Sequence, residues 1–191
     1  MKSALVLAYE SLKDLPKNYR DFDILDVYGF SSQGGKELKN ISTKVNYYNG
    51  FFDIANYNEP KFPYNFCFIR HPDPWGEPRN WMQPIAALAE SLSGELTCEF
   101  WFPSEIIAFN YLLQSILGNE SIRIIQIKQI DDVGNWKNYQ AKWSINQKGV
   151  KNKMLELYQK NKIIILQNYY KNIGKHFNDN VTLTHVESIL K

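Results

Sequence analysis

The sequence predicts a three-layer α/β domain, a mostly parallel sheet with helices on both faces. Three observations point there. Strand-sized apolar runs recur at residues 4–9 (ALVLAY), 65–70 (NFCFIR), 96–102 (LTCEFWF) and 122–130 (IRIIQIKQI). Two longer stretches between them, 81–92 and 103–117, carry apolar residues at helical spacing. Proline and glycine punctuate the joins at Pro72, Pro74, Gly94, Pro103 and Gly118. A strand covered on both faces reads as a near-continuous apolar run, and strands alternating with helices build a parallel sheet through right-handed crossovers.

The elements follow in order. Residues 4–9 are the first strand, and 10–21, which contain Pro16, leave room only for a short helix or turn. Residues 22–30 (FDILDVYGF) make the second strand. Ser31 is placed to cap a short helix through Leu38, which Gly34 and Gly35 weaken. Residues 44–50 (KVNYYNG) are the third strand, and a polar, proline-bearing stretch at 56–64 leads to the fourth at 65–70. After a proline-rich bend, Trp81, Met82, Ile85, Leu88, Ala89 and Leu92 mark one face of a helix that Gly94 stops. The fifth strand, 96–102, runs into a helix opened by Pro103-Ser104-Glu105 and ended by Gly118, and the sixth strand is 122–130. Beyond Asp131 the pattern thins. Trp136, Tyr139 and Trp143 lie among polar residues, and 151–172 suits a helix, although 162–166 (KIIIL) suits a β-branched strand equally well. The chain therefore divides into an α/β body at 1–134 and a basic, aromatic-containing C-terminal extension at 135–191, packed on the same domain.

Composition sets the outer bounds. A chain of 191 residues buries about 70% of its unfolded surface, enough for one sizeable core. No run of about 18 apolar residues exists, which excludes a membrane-spanning helix. Glu10 follows the opening apolar run too soon for a signal-peptide core, so a cytoplasmic protein is expected. Cys67 and Cys98 both lie in strand-like runs, where reduced, buried thiols are expected, with no metal-ligand spacing. Charge is unevenly spread. Residues 1–134 carry 12 Lys and Arg against 17 Asp and Glu, a balance of −5; residues 135–191 carry 10 Lys against 3 acids, a balance of +7. A basic segment on an acidic body suits contact with RNA or another polyanion, or with the body itself.

Two segments carry a family likeness. Val45-Asn46-Tyr47-Tyr48-Asn49-Gly50-Phe51-Phe52-Asp53 resembles the third strand and acidic turn of class I, S-adenosylmethionine-dependent methyltransferases. Residues 65–75 (NFCFIRHPDPW) resemble their fourth strand, and His-Pro-Asp-Pro-Trp is similar to the Phe-Pro-Asp-Pro-Trp of tRNA guanine-N7 methyltransferases. A helix, a Ser93-Gly94 turn and a fifth strand follow at that fold's spacing, so the likeness spans about residues 4–130. It implies a methyltransferase-like sheet, S-adenosylmethionine as cofactor and an acceptor that the sequence does not name. Ligands of open parallel sheets sit beyond the carboxyl ends of the strands. The resemblance accordingly places Ala8, Tyr9, Tyr28, Asp53 and Arg70 at the cofactor, and His71, Asp73 and Trp75 at the acceptor.

The sequence also departs from that pattern. The family's first turn is glycine-rich, letting backbone approach the cofactor without an intervening Cβ. Here it reads Ala8-Tyr9-Glu10-Ser11-Leu12. At the end of the second strand, where the family holds the ribose with a carboxylate, stand Val27, Tyr28 and Gly29, with Asp26 directed elsewhere. Reading 26–35 (DVYGFSSQGG) as the glycine turn leaves too few residues before Val45 for the helix and strand required.

Each candidate has a plainer reading. His71 can serve as a general base with Asp73 and a stacking Trp75 beside it, or the two prolines and Asp73 simply make a rigid turn. Arg70 can clamp an anion bidentately or pair with a body carboxylate. Asp53 can accept from an adenine amine or cap the turn at Asn56. Glu99 points into the crevice with a raised pKa or lies on a solvated edge. The lysines and rings of 135–191 can bind single-stranded nucleic acid or form a solvated face. His176 and His185 lack ligand spacing. Three functions remain open: a divergent methyltransferase, an inactive scaffold of that fold binding a protein partner, and an RNA binder acting through the basic segment.

Overall fold

The computed structural model describes residues 1–31, 33–41, 43–50, 52, 63–133, 136–145, 154–174 and 180–190. Seven strands form one sheet: β1 (Ser3–Tyr9), β2 (Ile24–Gly29), β3 (Lys44–Asn49), β4 (Tyr64–Arg70), β5 (Leu92–Phe100), β6 (Ile122–Val133) and β7 (Trp136–Ile145). Their spatial order is β3-β2-β1-β4-β5-β7-β6. Strands β1 to β5 are parallel, and β7 runs antiparallel between β5 and β6. The helices are α1 (Gly34–Glu37), α2 (Pro78–Ser91), α3 (Pro103–Leu117), α4 (Met154–Ile173) and α5 (Leu183–Leu190). The mostly parallel α/β sheet expected from the sequence is present, with the six predicted strands in their predicted order.

β7 falls within the segment that the sequence pattern assigns to the C-terminal extension. It alternates: Asn138, Gln140, Lys142 and Ser144 are polar, whereas Tyr139, Ala141, Trp143 and Ile145 are apolar. That period of two puts Ala141, Trp143 and Ile145 into the main core. Trp143 lies beneath α3 and donates its indole N–H to Asn110 Oδ1 at 3.0 Å, so the one polar atom of a fully buried ring is satisfied. Residues 136–145 are thus an integral part of the sheet.

Two apolar clusters cover the two faces. The larger gathers α2, α3, α4 and α5 against Leu5, Leu7, Cys67, Ile69, Leu96, Cys98 and Phe100. The smaller lies over β1, β2 and β4, where Leu15, Phe22 and Leu38 pack on Ala4, Val6, Leu25, Val27 and Phe68. Short 3-10 turns (Leu12–Asp14, Tyr19–Asp21, Leu38–Asn40) and the single turn of α1 supply this thinner layer. On the same face of β5 and β7 the side chains turn polar: Lys142 pairs with Glu95 at 2.9 Å, and Thr97 donates to Glu95 at 2.9 Å.

The helix before β5 begins at Pro78, a residue suited to the first helical position, and runs to Ser91 without a following turn. Ser93 and Gly94 belong to β5, which corrects their reading as a turn. Gly94 is required by close approach, since a Cβ there would lie 1.8 Å from the Asn65 carbonyl oxygen. Residues 162–166 are helical, within α4, whose buried edge is Tyr158, Tyr169 and Ile173.

Candidate functional site at the strand carboxyl ends

The chain leaves β1 toward β2 and leaves β4 toward β5, so the direction of strand order reverses between β1 and β4. An open α/β sheet places its ligand crevice at that reversal. Here Arg70, the last residue of β4, reaches across it. Its Nη1 donates to Asp14 Oδ1 at 2.9 Å and to the Lys13 carbonyl at 3.0 Å, both on the connection after β1. Asp14 is held by the Glu10 and Ser11 amides, which donate to its Oδ2 at 2.9 and 2.8 Å. On the other side Arg70 Nε lies 3.6 Å from Glu99 Oε2, an ion pair without a hydrogen bond. Gln140 Nε2 then donates to Glu99 Oε1 at 3.3 Å. The chain of groups from Asp14 through Arg70 and Glu99 to Gln140 spans the top of the sheet from β1 to β7. The Arg70, Asp14 and Glu99 side chains are 13%, 14% and 15% exposed, so water screens these charges weakly. Burial pushes the Glu99 carboxyl above the usual carboxylate range, while Arg70 and Gln140 pull against it.

His71 follows directly. Its φ is 48°, the left-handed region that non-glycine residues seldom occupy. Its amide donates to the Glu99 carbonyl at 2.8 Å, its ring stacks on Trp101 with centroids 3.6 Å apart, and Nε2 lies 3.2 Å from Asn138 Oδ1. Partial burial lowers its pKa, the Arg70 charge lowers it further, and Asn138 opposes both. These contacts favour the neutral form of the imidazole.

The other predicted site residues separate from it. Asp73 Oδ1 accepts from the Trp75 amide at 3.1 Å and the Gly76 amide at 2.7 Å, closing a local turn. Trp75 packs on the main core. Tyr169 of α4 donates its hydroxyl to the Pro74 carbonyl and so clamps the turn from beneath. Tyr28 is buried, stacked on Tyr48 at 4.6 Å and edge-on to Phe52 at 5.0 Å. Tyr9 is also fully buried, edge-on to Tyr47, with its hydroxyl 3.5 Å from Glu37 Oε2; burial and the nearby carboxylates push its pKa up. Ala8 has φ 58°, a conformation glycine adopts freely. Asp53, Asn56 and His176 lie outside the described residues, and His185 is exposed on α5. Asp26 points into the sheet, where Oδ1 accepts from Asn46 Nδ2 at 2.7 Å and Oδ2 from the Tyr64 hydroxyl at 2.5 Å. Among the described residues, no three His, Cys, Asp or Glu side chains gather as a metal site.

Asp14, Trp101, Asn138 and Gln140 carry no motif in the sequence, yet they build the site. For Asn138 and Gln140 the signal was the polar alternation of β7. Asp14 lies in a connection whose length alone says little about which strand end it will meet.

Sheet order, strand directions and crevice together define the class: this is a class I methyltransferase-like fold. No protein-family model matches the sequence, and no curated protein matches it. Solved structures do. The chain is similar to the N-methyltransferase NodS from Bradyrhizobium japonicum WM9, with a TM-score of 0.55 and 10% identity over 76% of this chain and 86% of that one. It is similar, with a TM-score of 0.56 and 9% identity, to a chain in the complex between the Haloferax volcanii Trm112 methyltransferase activator and the putative methyltransferase, over 76% of this chain and 82% of that one. A third is a putative S-adenosylmethionine-dependent methyltransferase from Listeria monocytogenes, at a TM-score of 0.53 and 8% identity, over 76% and 91%. At such identities the likeness establishes the fold. No helix among the described residues is long and apolar enough to cross a membrane.

Proposed function

We propose that this chain is a methyltransferase-fold protein that works by binding a partner, its cofactor crevice taken up by its own side chains. One observation carries the reading: Arg70 bridges the crevice to Asp14 at 2.9 Å, filling with an ion pair the gap that a ligand of this fold would enter. Three further features support it. Ala8, within β1 at its register shift, puts a Cβ where the resemblance expects glycine. Gly29, where a ribose-holding carboxylate is expected, is covered by the Tyr9 carbonyl oxygen, 2.2 Å from where a Cβ would stand. Asp26, on the same strand, has both oxygens engaged by the Asn46 and Tyr64 side chains. These residues do not fit S-adenosylmethionine. Similarity to a methyltransferase solved with its activator makes a protein partner the apt alternative to an acceptor molecule.

The competing reading is an active, divergent transferase with His71 as its base, favoured by the positive φ at that residue, because strained backbone gathers at active sites. Thermal unfolding with S-adenosylmethionine, and with S-adenosylhomocysteine in parallel, separates the two. A ligand binding only the native state at a hundredfold excess over its Kd stabilises by about 2.7 kcal/mol, a rise of several degrees. The binding reading expects no shift from either compound at millimolar concentration; a saturable rise establishes the transferase reading instead.

A further inference from the structure

The geometry points to a docking groove between α2 and α4 for an acidic amphipathic helix of a partner protein. This rests on the binding reading and supplies the kind of partner. The two helices leave a groove of about 580 Å³ floored by the buried side chains Met82 and Tyr158. Ile163, Leu166 and Tyr170 form one stripe of α4 along it. Ile163 is 67% exposed and Tyr170 46%, high for large apolar side chains on a helix packed against a body. Such a stripe beside a concave apolar floor is the receptor half of helix-in-groove recognition, in which anchors at i, i+3 or i+4, and i+7 enter the groove.

Charge selects the occupant. Arg79 on α2 and Lys162 on α4 line the groove from opposite walls, and no acidic side chain lines it among the described residues. A partner helix with glutamates or aspartates flanking its apolar stripe therefore meets a cation on each side, which favours encounter and fixes orientation. A second copy docked groove to groove about a two-fold axis would bring Lys162 and Arg79 against their own kind. A membrane surface would meet the outer rim and leave the recessed floor empty. The groove also adjoins the strand-end site: Tyr170 neighbours Tyr169, ring to ring at 5.5 Å, and Tyr169 holds the Pro74 carbonyl in the turn after β4.

The test uses the full chain and a fluorescein-labelled synthetic helix with leucines at i, i+3 and i+7 flanked by glutamates, followed by fluorescence anisotropy. The same helix with lysines in place of the glutamates is the control. The acidic helix should bind, and the lysine helix should bind about tenfold more weakly or worse. Ile163→Asp, at an exposed position that folding does not require, should weaken the acidic helix at least about tenfold. Arg79→Glu should narrow or reverse the preference between the two peptides. Equal binding of both helices, binding of neither, or an acidic-helix affinity untouched by Ile163→Asp overturns the proposal. So does a concentration-dependent dimer, or capture by anionic phosphatidylglycerol vesicles, that Ile163→Asp abolishes. If S-adenosylmethionine stabilises the protein while the acidic helix binds as described, the crevice reading fails and the groove stands; the opposite pair of results fails the groove alone.

Discussion

Ala8 sets an L-residue in a backbone conformation that favours glycine. At φ 58° it holds a conformation costing an L-residue about 1–2 kcal/mol, of which a glycine's greater unfolded-state freedom would give back about 0.4–1 kcal/mol. Ala8→Gly is therefore expected to stabilise by about 0.5–1 kcal/mol, raising Tm by a few degrees in thermal denaturation. A lowered Tm would show that the Ala8 methyl packs usefully and that the strand end is not strained. Glu105 is a second case. Its carboxylate accepts from the Trp101 and Phe102 amides, both at 2.9 Å, at the start of α3, yet burial outweighs those bonds and lifts its pKa to about 7. A folded-state pKa above the unfolded one means the native protein binds the proton more tightly. The stability from this group is thus fully present below its unfolded pKa and is lost as pH rises through about 7. Glu105→Gln keeps an acceptor for the amides and should flatten the fall in Tm between roughly pH 5 and pH 8. An unchanged slope would place that pH dependence elsewhere. At this scale the sequence was partly legible. Asp73 as a turn-former follows from Asp between prolines and glycine, whereas the fate of Asp26 depends on Tyr64 and Asn46, 38 and 20 residues away.

Elements were legible where one period dominated. The apolar run of β1 and the i, i+3, i+4 pattern of α2 each settled a type without knowledge of neighbours. β7 alternates as clearly, but its polar half includes Asn138, Gln140 and Lys142, and next to a lysine-rich tail that polarity masked the strand. Its place between β5 and β6 comes from Trp143 and Ala141 finding the core, a tertiary event that no local window reports. The connection after β1 was equally opaque. Its role appears only when Asp14 meets Arg70. A double-mutant cycle measures that meeting. Arg70→Ala and Asp14→Ala should each destabilise, and their coupling should be about 1–2 kcal/mol, since the pair is mostly buried but not sealed from water. A coupling near zero would reduce the crevice bridge to an incidental surface contact.

At the scale of the whole molecule, fold and site answer to different constraints. The sheet order needs only alternating apolar segments of the right length, and many sequences supply them, so similarity at about a tenth identity suffices for the fold. The resemblance implies a cofactor crevice with particular atoms at particular strand ends: a Cβ-free turn, a free carboxylate and an open gap between β1 and β4. Here the first is Ala8, the second is tied up as Asp26, and the third is crossed by Arg70. The basic balance of residues 135–191 is likewise divided by the fold. Lys142 joins the sheet and pairs with Glu95, while Lys162 lines the groove beside α2.

The most direct measurement is isothermal titration calorimetry of S-adenosylhomocysteine into the purified protein, repeated with Arg70→Ala. The proposed reading expects no saturable heat with the wild-type chain at millimolar ligand, because Arg70 pairs with Asp14 across the crevice and the Tyr9 carbonyl covers Gly29. A wild-type isotherm with a micromolar dissociation constant would contradict a filled crevice and show that the cofactor pocket is open.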